Sequence, residues 1–220
     1  MCIRDRVYLP YEIKQPKTGT SDSPLLILLH GYGSHEKDLF SFANQLDERL
    51  TIVCPQAPVP LQKNRYAWYD LDLNSSTSRY KFSDVQKARE NITRFIQQIQ
   101  QKYGLQNSEV YLGGFSQGAI MSMYIGLSQP ELIDGVIALS GQLYPEMKAE
   151  IKHNPDLSDL KIFMSHGKLD NVLTFEKAEE GYNYLNNRGI HVDKFWYHSR
   201  HQISNDNFRD MKNWIAKQLQ

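Results

Sequence analysis

Cysteine is nearly absent from this chain of 220 residues: Cys2 and Cys54 are the only two. That excludes a disulfide framework and any zinc site built from three or four thiolates. Charge of one sign is not in excess either, with 25 Lys and Arg against 25 Asp and Glu. A chain so balanced has no positive surplus with which to neutralise phosphates, so nucleic acid is not an expected partner. Long apolar runs are missing as well. The longest, Leu25 to Leu29, is five residues, against the roughly 20 needed to cross a bilayer, so no transmembrane segment is expected and the chain reads as soluble. No repeat or low-complexity block occurs.

What is present suits a globular domain with a sizeable core: 40% hydrophobic and 23% charged residues. The opening Met1-Cys2-Ile3-Arg4-Asp5-Arg6 can be encoded by ATG TGT ATA AGA GAC AGx, the end of a transposon adapter used for sequencing libraries. Residues 1–6 are therefore expected to be adapter-derived, and residues 7–220 to form a single domain. Without residues 1–6 the formal charge becomes −1 and Cys54 is the only cysteine. A cytoplasmic location is the expectation.

Short apolar runs alternate with helical patterns. Leu25–Leu29 ends at His30-Gly31, as a strand buried on both faces ends in a loop. Thr51–Cys54 stops at Pro55, Val110–Leu112 at Gly113-Gly114, Gly135–Leu139 at Ser140-Gly141 and Lys161–Ser165 at His166-Gly167, and Val192–Tyr197 is the last candidate strand. Between them, Val85, Ala88, Ile92, Phe95, Ile96 and Ile99 recur at spacings of three and four until Gly104, behind a capping box at Ser83-Asp84-Val85-Gln86. Similar stripes run over residues 38–46, 174–185 and 205–219. Alternation of this kind predicts an α/β fold, a mostly parallel sheet with helices on both faces, whose ligands bind beyond the carboxyl ends of the strands. Pro55 to Phe82 is too long for a simple connection and reads as a binding loop.

Chemistry is therefore sought just after each strand. Gly114-Phe115-Ser116-Gln117-Gly118 is G-x-S-x-G between a strand and a helix-compatible run, the pattern of a nucleophile elbow. A glycine-rich turn without chemistry is the plainer alternative. A serine nucleophile needs a base, and the base an orienting carboxylate, in the chain order serine, acid, histidine. Asp170 follows one strand, and His198 and His201 follow the last. His201 is favoured as base because it lies in a loop that can reach back over the sheet edge, with His198 as the alternative. His153 and His191 read as surface residues, and His35 as part of a helix start. His30-Gly31-Tyr32-Gly33-Ser34 offers an oxyanion donor, Tyr32 N–H, to pair with Gln117 N–H; the same turn also reads as a simple connection with Ser34 as helix cap.

With Tyr66-Ala67-Trp68-Tyr69 added, these motifs resemble the phospholipase/carboxylesterase family of small α/β-hydrolases, which includes the acyl-protein thioesterases, from about Leu9 to the C-terminus. The resemblance implies Ser116 as nucleophile, His201 as base, Asp170 as acid, and Tyr32 and Gln117 N–H groups as oxyanion hole. It implies no large cap domain and a substrate groove bordered by the loop carrying Trp68. Arg200 departs from the family, whose members usually have glycine before the catalytic histidine; an arginine there could crowd the loop or meet an anionic substrate. The expected activity is hydrolysis of carboxylic esters, or of thioesters, with small to medium acyl chains, and without metal or organic cofactor. Trp68, Tyr69 and Leu71 are expected to contact the substrate, unless that loop packs back on the core. A lysophospholipase, an amidase or peptidase, and an inactive binding protein are the alternatives. Oligomeric state is open, a homodimer being compatible with zero net charge.

Overall fold

The computed structural model describes residues 8–17, 22–72, 80–151 and 157–220. Residues 1–6, expected to be adapter-derived, and His153 lie outside the described residues.

The strands are β1 (Tyr11–Lys14), β2 (Leu25–Leu29), β3 (Thr51–Pro55), β4 (Val59–Gln62), β5 (Arg65–Ala67), β6 (Val110–Phe115), β7 (Gly135–Leu139), β8 (Lys161–Gly167) and β9 (Asp193–Tyr197). The helices are α1 (Glu36–Phe40), α2 (Phe82–Tyr103), α3 (Gln117–Ser128), α4 (Pro145–Ile151), α5 (Phe175–Asn186) and α6 (Asn205–Gln218). Seven strands form one sheet in the order β1-β3-β2-β6-β7-β8-β9. Every neighbouring pair is parallel except β1 with β3. Among the described residues no helix is long and apolar enough to cross a membrane.

Central strands alternate between two cores. Leu25, Ile27 and Leu29 of β2 pack with the buried stripe of α2 and with α3, whereas Leu26 and Leu28 pack with Leu39 of α1 and with Met211, Trp214 and Ile215 of α6. Period-two side chains with both faces covered explain the unbroken apolar run. The six expected residues of α2 are all buried, the five larger ones contributing about 1.5–3 kcal/mol each, and the helix ends at Gly104 with φ 70°.

Local signals were less exact than periodicity. Helix α2 starts one residue before Ser83, with Lys81 as cap through its carbonyl, so Ser83 does not cap it; Gln86 Nε2 instead donates to Glu150 Oε1 at 2.7 Å. The cap of α1 is His35, whose Nδ1 accepts from Lys37 N–H at 3.2 Å. Ser34 is committed elsewhere, its backbone bridging Tyr66 and its Oγ donating to Asp38 Oδ2 at 2.5 Å. The stripe at 38–46 is split, because Ser41 Oγ and N–H both close on Asp38 O, leaving only one 3-10 turn at Ala43–Gln45. The long segment from Pro55 to Phe82 contains the β4–β5 hairpin, with residues 73–79 outside the described residues.

Candidate active site

Strand β6 delivers Ser116 on a turn that no side chain prefers: φ 54°, ψ −116°. Such a backbone costs on the order of 1–3 kcal/mol and persists only where the surroundings enforce it. Here Ser116 N–H donates to Leu139 O at 2.9 Å, and Ser116 O accepts from Ile120 N–H at 3.0 Å. The flanking glycines are sterically required. A Cβ at Gly114 would stand 2.5 Å from the carbonyl carbon of Gly118, and one at Gly118 would stand 2.0 Å from Leu29 O.

Asp170 follows β8, its side chain fully buried. Its Oδ1 accepts from Val172 N–H at 2.9 Å and Leu173 N–H at 3.0 Å, which leaves Oδ2 for His201 Nδ1–H at 2.6 Å. Because the carboxylate only accepts, the imidazole proton sits on Nδ1, and Nε2 accepts from Ser116 Oγ–H at 2.8 Å. Phe115 packs against the same imidazole, with ring centroids 4.8 Å apart. The acid and histidine loops are zipped together by Lys168 N–H to Tyr197 O at 2.7 Å and Leu169 N–H to Ser199 O at 3.0 Å. His198 is exposed and takes no part in this chain of contacts. Arg200 is also exposed, and its carbonyl would lie 2.6 Å from a Cβ at Gly167, the last residue of β8.

In the sequence His166 marks the end of a strand and, with Gly167 and Asp170, forms part of the family resemblance, which gives it no role of its own. It is wholly buried against Asp170, its Nε2–H donating to Leu173 O at 2.7 Å and lying 3.3 Å from Asp170 Oδ2. Burial pushes its pKa down, so the ring is neutral, and it braces the acid loop rather than adding a charge.

Tyr32 lies in the loop after β2, and a Cβ at the preceding Gly31 would be 3.4 Å from Ser116 Cβ, so this loop passes directly over the serine. Gln117 is the first residue of α3, where N–H groups have no intrahelical acceptor. Neither Tyr32 N–H nor Gln117 N–H donates to another described residue.

The expectation that Trp68 and Tyr69 contact the substrate needs correction. They are 2% and 1% exposed, turned inward. Trp68 Nε1–H donates to His30 O at 2.9 Å, and Tyr69 OH pairs with Tyr144 OH at 2.8 Å. The loop packs back on the core because its aromatic rings bury more area there and their polar tips still find partners. Leu71 remains half-buried. Among the described residues no group of three or more His, Cys, Asp or Glu side chains is placed to hold a metal ion.

A parallel sheet that ends in a strained serine, with an acid and a histidine on the loops after two later strands, has the architecture of an α/β-hydrolase. The chain matches the Phospholipase/Carboxylesterase family over residues 12–219 and belongs to it. It is similar to acyl-protein thioesterase 1 of Mycosarcoma maydis, 26% identical with 92% of this chain and 94% of that one covered. It is likewise similar to the putative hydrolase MhqD of Bacillus subtilis, 26% identical with 91% and 96% covered. Among solved structures, esterase PE8 superposes with a TM-score of 0.82 at 27% identity, covering 95% of this chain and 98% of that one. The protein is an esterase- or thioesterase-type hydrolase.

Proposed function

We propose that Ser116, His201 and Asp170 form a catalytic triad that hydrolyses carboxylic esters, and thioesters, of small to medium acyl chains. The observation that carries this reading is the continuous contact from Asp170 Oδ2 to His201 Nδ1 at 2.6 Å and from His201 Nε2 to Ser116 Oγ at 2.8 Å. Ser116 Oγ attacks the acyl carbon as His201 Nε2 takes its proton. The tetrahedral oxyanion is held by Tyr32 N–H and Gln117 N–H, and collapse expels the alcohol or thiol, which receives that proton from His201. Water, deprotonated by His201, then releases the acid and restores Ser116. Asp170 holds the imidazole in the tautomer this cycle needs. Acyl chains of modest length are favoured because Trp68 and Tyr69 fill the space beneath their loop. The acyl-protein thioesterase relatives support thioesters as well as esters as substrates. A cytoplasmic location accords with a free, buried Cys54.

The test is turnover of p-nitrophenyl acetate and butyrate, and of matched thioesters, by wild type and Ser116→Ala. Loss by roughly 10⁴-fold or more is expected in the variant, together with loss of fluorophosphonate labelling. An alanine variant as active as wild type would overturn the assignment. With an anilide and a lysophospholipid added to the panel, preferential cleavage of either would move the reading to that substrate class.

A further inference from the structure

We propose that His30 and Trp68 are positioning residues that aim the two oxyanion donors as one unit, so that their loss weakens binding of the transition state rather than of the substrate. This rests on the reading of Tyr32 and Gln117 N–H groups as the oxyanion hole.

The Tyr32 N–H belongs to the Gly31–Tyr32 peptide, which is trans and planar, so its direction is set by whatever holds the Gly31 carbonyl on the opposite side. Two donors hold it: His30 Nδ1–H at 2.8 Å and Ser34 N–H at 3.1 Å. The tautomer of His30 is fixed by its other nitrogen, since Nε2 accepts from Ala57 N–H at 3.1 Å and so cannot carry the proton. The ring is 1% exposed, and burial pushes its pKa down, which keeps Nε2 an acceptor at neutral pH.

From His30 the connection continues to the second donor. The His30 carbonyl accepts from Trp68 Nε1–H at 2.9 Å. The Trp68 backbone N–H donates to Gln117 Oε1 at 2.8 Å, and Gln117 Nε2 donates to Tyr69 O at 2.8 Å. Gln117 is the residue whose own N–H opens α3 beside Ser116. The side chain of one donor residue thus grips the loop whose indole holds His30, and the imidazole of His30 aims the other donor. Trp68, His30 and Gln117 are all at most 3% exposed, so water does not compete for these bonds.

Three variants separate aiming from packing. Trp68→Phe keeps the aromatic area and removes only the indole N–H. His30→Asn retains a donor near the position of Nδ1 and loses the acceptor at Nε2, and His30→Leu removes both. With p-nitrophenyl butyrate, Trp68→Phe and His30→Leu are expected to lower kcat by about 10–10²-fold with KM within about twofold, and His30→Asn to recover much of the loss. Affinity for a boronic acid analogue of butyrate should fall by the same factor as kcat. Trp68→Phe and His30→Asn decide the matter if His30→Leu does not fold. Folded variants with unchanged kcat and analogue affinity, or with a kcat loss that the analogue does not share, would overturn the proposal. If instead Ser116→Ala retained activity, the triad reading itself would fail, and that result does not depend on these variants.

Discussion

Gly167 lies beneath the carbonyl of Ser199: a Cβ at this glycine would stand 2.3 Å from Ser199 O and 2.6 Å from Arg200 O. The last residue of β8 therefore has to lack a side chain for the histidine loop to lie down beside the acid loop. Gly167→Ala is expected to lift that loop, destabilising the protein by about 1–3 kcal/mol and cutting kcat by roughly 10²-fold, because a displacement of about 1 Å at His201 spoils the contact with Ser116. Gly181 in α5 is the control. Its nearest heavy atom to an added Cβ is Met164 Cε at 3.6 Å, ordinary contact, so Gly181→Ala should be tolerated or stabilising by up to about 1 kcal/mol. Urea unfolding and esterase kinetics on both variants check this.

Asp170 is an acceptor on both oxygens. Oδ1 takes two backbone N–H groups and Oδ2 takes His201 Nδ1–H. Asparagine in its place must turn its NH₂ toward one of these donors. Facing His201, it forces the imidazole into the other tautomer, with the proton on Nε2, where it cannot accept from Ser116. Facing Val172 and Leu173, it breaks the turn that holds the acid loop. Asp170→Asn should lower kcat by about 10²–10⁴-fold while KM changes little, measured with p-nitrophenyl butyrate.

The chain order of serine, acid and histidine was legible because each part leaves a mark that geometry enforces. Leu25–Leu29 must be apolar throughout, since both faces of β2 are covered, and Gly114 and Gly118 cannot carry side chains at 2.5 and 2.0 Å from backbone atoms. His201 could be preferred to His198 on loop position alone. Direction was not legible. Trp68 and Tyr69 in a polar stretch read first as a substrate wall, with core packing as the alternative, and the burial of the two rings, with the contacts of the indole with His30 and of Tyr69 with Tyr144, is not marked in the sequence. Strand β1 escaped notice because Tyr11–Lys14 is an antiparallel edge strand, half-buried at every residue, with no apolar run to reveal it. The start of α2 was misplaced since Lys81 caps through its carbonyl, which every residue possesses, while Ser83 carried the recognisable side chain.

Two buried neutral histidines link stability to pH. His30 and His166 both have pKa values pushed below the ordinary 6.5, chiefly by burial. In the unfolded chain they protonate near 6.5, so below that pH the unfolded state binds more protons than the folded one. Their contribution is complete above about pH 6.5 and is lost as the pH falls through that value toward the lower folded pKa values. Each histidine adds up to about 1.4 kcal/mol per pH unit to the slope within that window. Urea unfolding at pH 7.5 and 5.5 should show the lower stability at 5.5, and His30→Asn should make that dependence shallower. A flat profile from 7.5 to 5.5 would show that the two rings are not held neutral.

The two histidines after β9 separate cleanly by variant. His201 bonds to both Asp170 and Ser116, whereas His198, three residues earlier, is exposed and touches neither. Removing the His201 imidazole takes away the acceptor for the Ser116 proton, and also leaves Asp170 Oδ2 buried without its strongest partner. His201→Ala should therefore lose about 10³-fold or more in kcat and lose fluorophosphonate labelling of Ser116, with a stability cost of about 1–3 kcal/mol from the orphaned carboxylate oxygen. His198→Ala should keep wild-type kcat, labelling and stability within about 0.5 kcal/mol, as an exposed substitution away from any contact does. If His198→Ala abolished labelling and His201→Ala did not, the base would be His198, and the loop would have to rearrange during turnover to bring it to Ser116.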